Sequence, residues 1–379
     1  MNRKYDKNSP ERYWDFAKLQ APPAYRDETD ERCQQPGMKA IVYEGVRENG
    51  EKSRFFAYLA FPEGPAPAGG FPGVVLVHGG GGTAFAWAVR LWTSYGYAVI
   101  APDWYGDKPL TAIWGENNDD LRGPRGESSP LTPHRSRATY RYTTPTHIVT
   151  VANLVLAHSL LLSLPEVNPE KTMYVGLSWG SWYGAMVAAV DPRFKGMLEI
   201  YLGDKKPNRK LINGRFLNAA KSPMYYVVGT NDAHGSPATM QAGFDACGKR
   251  LGNRTMIVEL RHSHIGFTFK ACQRIADSIL KDAPGLPVIG KTTINGSTIS
   301  AKVKSEGLGV KKAFLCYTTD RTEPIPHNRK WHMIEAEYRN GIIRAEIPDG
   351  VFQYYLAAYD EDDLTSYCCG SGDVITICS

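Results

Sequence analysis

No stretch of this 379-residue chain approaches about 20 consecutive apolar residues, so nothing in it reads as a membrane-spanning helix. Its first residues, MNRKYDKNSPERYWDF, lack the apolar centre of a secretory signal. As written, the chain is expected to be cytoplasmic, with export after removal of a leader as the alternative. Cysteine is scarce: the seven are scattered, odd in number and include no C-x-x-C pair, which speaks against both a zinc site and a disulfide framework. Net charge is slight at +5, so basic clusters such as KKPNRK (205–210) and HRSRATYR (134–141) read as solvated faces rather than a nucleic-acid surface. Internal repeats and low-complexity tracts are also missing. What remains is ordinary globular composition, 42% hydrophobic and 22% charged, in a chain long enough for one large domain and a small one.

Between about residues 39 and 285, strand-like and helix-like runs alternate. AIVYEG and RFFAYLAF open as a pair of strands, followed by strands at 72–79, 97–104, 172–177, 196–201, 224–230 and 254–260. Helix patterns lie at 84–96, 147–164, 180–190, 237–252 and 268–280. Several of the strands are continuous apolar runs, the pattern of a parallel sheet covered by helices on both faces. A doubly wound α/β domain is the expected fold. Residues 1–38 form an N-terminal extension to it. Residues 105–145, rich in Gly, Pro, Asn, Asp and Arg, break the rhythm and are expected to be a lid or substrate loop. From 286 to 379 the pattern becomes β-rich, with hairpin dipeptides at Asn340–Gly341 and Asp349–Gly350, and predicts a small immunoglobulin-like or fibronectin-like β-sandwich.

Chemistry concentrates in the first of these domains. Gly176-Leu177-Ser178-Trp179-Gly180 ends one strand and opens a helix of small residues, the strand–turn–helix setting in which a serine projects its Oγ above a sheet. Such a serine needs a base, and the base needs an acid to orient it. Asp232 follows the next-to-last strand of the domain, and His262 and His264 follow the last. His264 is preferred as base because it lies further from the strand, just before Ile265–Gly266. Asp204 is the fallback acid. The H-x-H pair has no third ligand at metal-site spacing, so neither a metal nor an organic cofactor is expected. HGGGG (78–82) sits after an early strand, where backbone N–H groups face a reacting carbonyl; Gly80 and Trp179 are the expected oxyanion donors. The loop lacks the Gly-Lys-Ser/Thr ending of a phosphate cradle. Trp104, Tyr105 and Trp182 are candidate substrate contacts.

HGGGG, GLSWG, Asp232 in GTND and His264 in HSHIGF together resemble the α/β-hydrolase superfamily, nearest its dienelactone hydrolase and acetyl-xylan-esterase-like branch. The resemblance covers roughly 39–285 and implies Ser178 as nucleophile, Asp232 as acid and His264 as base. It also implies the C-terminal sandwich, which some bacterial members of the branch carry. Dienelactone hydrolases use cysteine at the elbow; serine here moves the expectation to ordinary carboxylic-ester hydrolysis. The expected substrate is a short-acyl ester, a small molecule or an acetylated carbohydrate, with no nucleic-acid or membrane partner. A serine peptidase of the prolyl-oligopeptidase type and a non-catalytic carbohydrate-binding protein are the alternatives.

Overall fold

The computed structural model describes residues 9–48, 51–104, 108–109, 145–202 and 216–377. They fall into two compact units, the first within Met1–Glu199 and Arg209–Pro223, the second within Ile200–Asn208 and Met224–Ser379.

The first unit opens with a short helix, α1 (Phe16–Leu19), an edge strand, β1 (Tyr25–Asp27), and the long antiparallel pair β2 (Lys39–Glu48) and β3 (Glu51–Ala60). Alternation then sets in: β4 (Phe71–Val77), α2 (Ala86–Ser94), β5 (Ala98–Pro102), α3 (Pro145–Leu162), β6 (Val167–Leu177), α4 (Trp179–Val190) and β7 (Gly196–Ile200). Across the sheet the order is β1-β2-β3-β5-β4-β6-β7, with β4 parallel to both β5 and β6 and an antiparallel step from β3 to β5. The apolar runs VVLV in β4 and AVIA in β5 are buried throughout, because helices cover the sheet. Helix α3 is apolar nearly all round; it packs on β2, β4, β5, β6 and α4, which leaves little of it to water.

The second unit begins with β8 (Met224–Gly229), α5 (Pro237–Cys247), β9 (Leu251–Ile257) and α6 (Lys270–Leu280), β8 and β9 being parallel. Antiparallel strands follow: β10 (Val288–Asn295), β11 (Thr298–Ser305), β12 (Lys312–Thr318), β13 (His332–Glu335), β14 (Glu337–Arg339), β15 (Ile342–Glu346), β16 (Gln353–Tyr359), β17 (Cys369–Ser371) and β18 (Ile375–Thr376). One sheet runs β10-β11-β15-β14; the other runs β13-β12-β16, with β17 and β18 both on β16. Ile289, Ile299, Val303 and Ile343 of the first sheet share one core with Leu315, Tyr354 and Leu356 of the second, so the two form a sandwich.

Asn340 and Gly341, both at positive φ, close the β14–β15 hairpin as the dipeptide predicts. Asp349–Gly350 behaves differently: β15 and β16 belong to different sheets, so this turn carries the chain across the sandwich instead of closing a hairpin. Within the second unit, β9 packs directly against β17. The six described cysteines are buried thiols, and among the described residues no helix is long and apolar enough to cross a membrane.

Candidate active site

Ser178 stands between β6 and α4 with φ 56° and ψ −111°, a conformation that residues bearing a Cβ rarely adopt. Its neighbours make the turn that tight. A Cβ on Gly180 would lie 2.2 Å from the Val77 carbonyl oxygen, and one on Gly176 would lie 2.6 Å from the Gly180 carbonyl carbon. Only glycine at both positions lets helix and strand backbones approach so closely. Two hydroxyls lock the turn: Ser181 Oγ donates to the Gly176 carbonyl at 2.8 Å and Tyr174 Oη to the Gly180 carbonyl at 2.7 Å. Beneath α4, Glu199 fills the space left by Gly184, where a Cβ would meet its Oε1 at 2.3 Å. Glu199 is fully buried, and burial pushes its carboxyl well above the usual range. Burial therefore favours its neutral form.

The glycine loop after β4 is pinned from below. His78 Nδ1–H donates to the Gly79 carbonyl at 2.8 Å, and the His78 carbonyl accepts the Trp104 indole N–H at 2.8 Å. The His78 and Trp104 rings stack at 5.5 Å. Asp103, fully buried, accepts the Thr83 hydroxyl at 2.7 Å and so holds the far end of the loop. Gly80 lies against Trp179, since a Cβ there would stand 2.4 Å from the indole Cδ1. The two expected oxyanion residues are thus adjacent.

Trp104 is only 4% exposed and serves as packing under the loop, whereas Trp182 is half-buried and meets Trp179 edge-on at 4.7 Å. His147 lies nearly parallel to the Trp179 ring at 6.2 Å and is hydrogen-bonded to Tyr183 Oη at 3.0 Å. Sequence patterning assigned no role to His78 or His147; the only signal was the position of His78 directly before the glycines.

In the second unit, Asp232 follows β8 and is 1% exposed. Its carboxylate accepts the His234 backbone N–H at 2.7 Å and the His262 Nδ1–H at 2.9 Å from Oδ1 and 3.0 Å from Oδ2. The partner of Asp232 is therefore His262, where the sequence favours His264. Ser263 explains the difference: its Oγ caps a turn by accepting the Ile265 N–H at 3.3 Å, and His264 becomes the first residue of that turn. A serine one residue before His264 was the available signal. Tyr201 and His234 flank the His262 ring at 4.7 and 4.5 Å. Tyr201 is buried, which pushes its phenol well above the usual range. With Nδ1–H committed to the carboxylate, Nε2 is the nitrogen available to take a proton. Tyr105, Asp204 and nearly all of the expected 105–145 loop lie outside the described residues. Among the described residues no three His, Cys, Asp or Glu side chains gather as a metal site would require.

The model of the dienelactone hydrolase family matches residues 55–249, just over half the chain. The chain belongs to the dienelactone hydrolase family. Members of this family are esterase-type hydrolases, and this chain is a hydrolase with the α/β-hydrolase fold. An acetyl xylan esterase from Paenibacillus sp. superposes with a TM-score of 0.54 at 15% identity, over 73% of this chain and 96% of its own. Acetyl xylan esterase 1 from Thermoanaerobacterium sp. gives 0.49 at 14% identity over 71% and 93%, and a glucuronoyl esterase from Solibacter usitatus gives 0.45 at 13% over 71% and 91%. Among curated proteins, comparison finds no significant match.

Proposed function

We propose that this dienelactone hydrolase family member is a serine carboxylic-ester hydrolase whose triad is Ser178, His262 and Asp232. His262 Nε2 takes the Ser178 proton as Oγ bonds to the ester carbonyl carbon, and the carbonyl oxygen becomes an oxyanion on the N–H groups of Gly80 and Trp179. Collapse of that intermediate breaks the bond to the alcohol, which leaves with the proton from His262. Water, losing a proton to His262, then attacks the acyl-enzyme; the acid departs and Ser178 regains its proton. Asp232 holds the imidazole in the required tautomer and stabilises the imidazolium.

The observation that carries this reading is the positive φ of Ser178 at a glycine-flanked strand–helix turn, the strained geometry in which a nucleophile projects from a sheet. The Asp232–His262 pair supplies the matching acid and base. Short-acyl esters are the proposed substrates, with acetylated carbohydrates first, the class for which the Paenibacillus enzyme of the same fold is named.

Hydrolysis of p-nitrophenyl acetate and butyrate by the wild type and by Ser178→Ala tests it. The variant is expected to lose at least about 10³-fold in kcat, and acetate to be the better substrate. Undiminished hydrolysis by Ser178→Ala would contradict the proposal.

A further inference from the structure

The loop that bears Asp232 is held by the C-terminal sandwich. Asn231, its immediate neighbour, donates both amide hydrogens to carbonyls of the segment between β12 and β13, reaching His327 O at 2.9 Å and Arg329 O at 2.8 Å. Its Oδ1 accepts the Thr230 hydroxyl at 2.6 Å, and Thr230 Oγ1 in turn accepts the Glu259 N–H at 2.8 Å. Glu259 lies on the segment that leads from β9 to His262, at a φ of 57°. Asn231 therefore ties the acid loop to the sandwich, and Thr230 carries the tie on to the histidine loop. Aspartate lacks the two donors, and alanine lacks all three groups.

The segment that receives Asn231 is itself built. Arg329 donates from Nε and Nη2 to the Glu323 carbonyl at 3.3 and 3.2 Å and from Nη1 to Gln353 Oε1 at 3.3 Å, with its guanidinium 4.8 Å from the centre of the Phe352 ring. The Lys330 N–H donates to Asp320 at 2.6 Å, and Trp331 is buried against Tyr355.

A second line of contacts fixes β9, the strand before the histidine loop. Arg254 donates to the Ser371 carbonyl at 3.0 Å and pairs with Asp373 at 2.7 Å, Thr255 Oγ1 donates to the Cys369 carbonyl, and Tyr355 Oη donates to the Met256 carbonyl at 3.1 Å. This seam is polar and mostly buried.

From these contacts we infer that the C-terminal sandwich is a positioning element for the catalytic acid, acting on Asp232 through Asn231. The inference rests on the triad proposed above. It gives the sandwich a part in the reaction that carbohydrate binding or subunit pairing would not require.

Kinetics of the full chain with p-nitrophenyl acetate test it on Asn231→Ala, Arg329→Ala and the double variant, with active sites counted by fluorophosphonate, and on Ser178→Ala per mole of protein. Arg329→Ala loosens the receiving segment without touching the acid loop, and its half-buried position leaves folding intact. Asn231→Ala is expected to lower kcat per active site by about 10²-fold, the cost of a misplaced catalytic group, with KM moving by less than about 3-fold. The acidic limb of the kcat/KM profile should shift to lower pH, since a carboxylate free to swing away stabilises the imidazolium less. Asp232, His234 and Tyr201, which face His262, are unchanged by either substitution. Arg329→Ala should act in the same sense and more weakly, and the double variant should be no worse than Asn231→Ala, because both act along one path. Wild-type kcat per site and an unmoved pH profile in both single variants, even with a lower melting temperature, would overturn the inference and leave the triad standing. Full activity in Ser178→Ala would overturn both.

Discussion

Ser178 holds a backbone conformation that costs a residue with a side chain about 1–3 kcal/mol, so its surroundings must enforce it. Part of that enforcement is the packing beneath α4, where Glu199 sits with both carboxyl oxygens out of water. Burial raises its pKa, and this fixes the sign of a pH effect. In the unfolded chain a glutamate ionises above about pH 4.5, whereas burial in the folded protein shifts the ionisation of Glu199 to higher pH. Stability from this group is full below that pH and declines as pH rises toward the folded pKa. Glu199→Gln, neutral at every pH, should therefore melt higher than the wild type near pH 8, by at least about 2 °C, with the gap closing toward pH 4.5. Thermal melts across that range check it; a wild type that keeps pace with the variant near pH 8 would mean the carboxyl ionises freely.

Among the elements, the contact of α4 with β4 and β6 is an exacting one. Gly180→Ala places a Cβ 2.2 Å from the Val77 carbonyl oxygen, and backbone has no rotamer with which to yield. Helix α4 must shift outward, with an expected destabilisation of about 1–3 kcal/mol and a loss of esterase turnover. Urea midpoints and p-nitrophenyl acetate kinetics on the same preparation measure both; wild-type values in both would show that the close approach is not needed.

The elements of this region are also those most legible in the sequence, because β4, β5 and the end of β6 are unbroken apolar runs and α4 is a run of small residues. Legibility fails where pattern is absent. Strand β1 has three exposed residues and no alternation. Strand β6 begins at Val167, earlier than its apolar run, since residues 168–171 are at least partly exposed. Strand β9 ends at Ile257, ahead of the expected 260, because Glu259 turns to positive φ.

At the scale of the whole molecule, the candidate site divides in the same way. The turn at Ser178 and the loop at Asp232 follow from local pattern, glycine spacing in one case and the end of an apolar strand in the other. The choice between His262 and His264 does not, because both lie after β9 and only the tertiary partner of Asp232 separates them. The contacts of the sandwich with β9 were equally hidden: several are side chains on backbone carbonyls, which leave no periodic trace. Arg274 on α6 adds a further contact through a buried pair with Asp360 at 2.7 and 2.8 Å.

The measurement that tests the triad most directly is covalent capture by a fluorophosphonate, followed by intact mass and peptide mapping, in the wild type, His262→Ala and His264→Ala. The account predicts one adduct on Ser178, capture slowed at least about 10³-fold in His262→Ala and by less than about 10-fold in His264→Ala. An adduct on another residue, or rapid capture in His262→Ala with loss in His264→Ala, would contradict it.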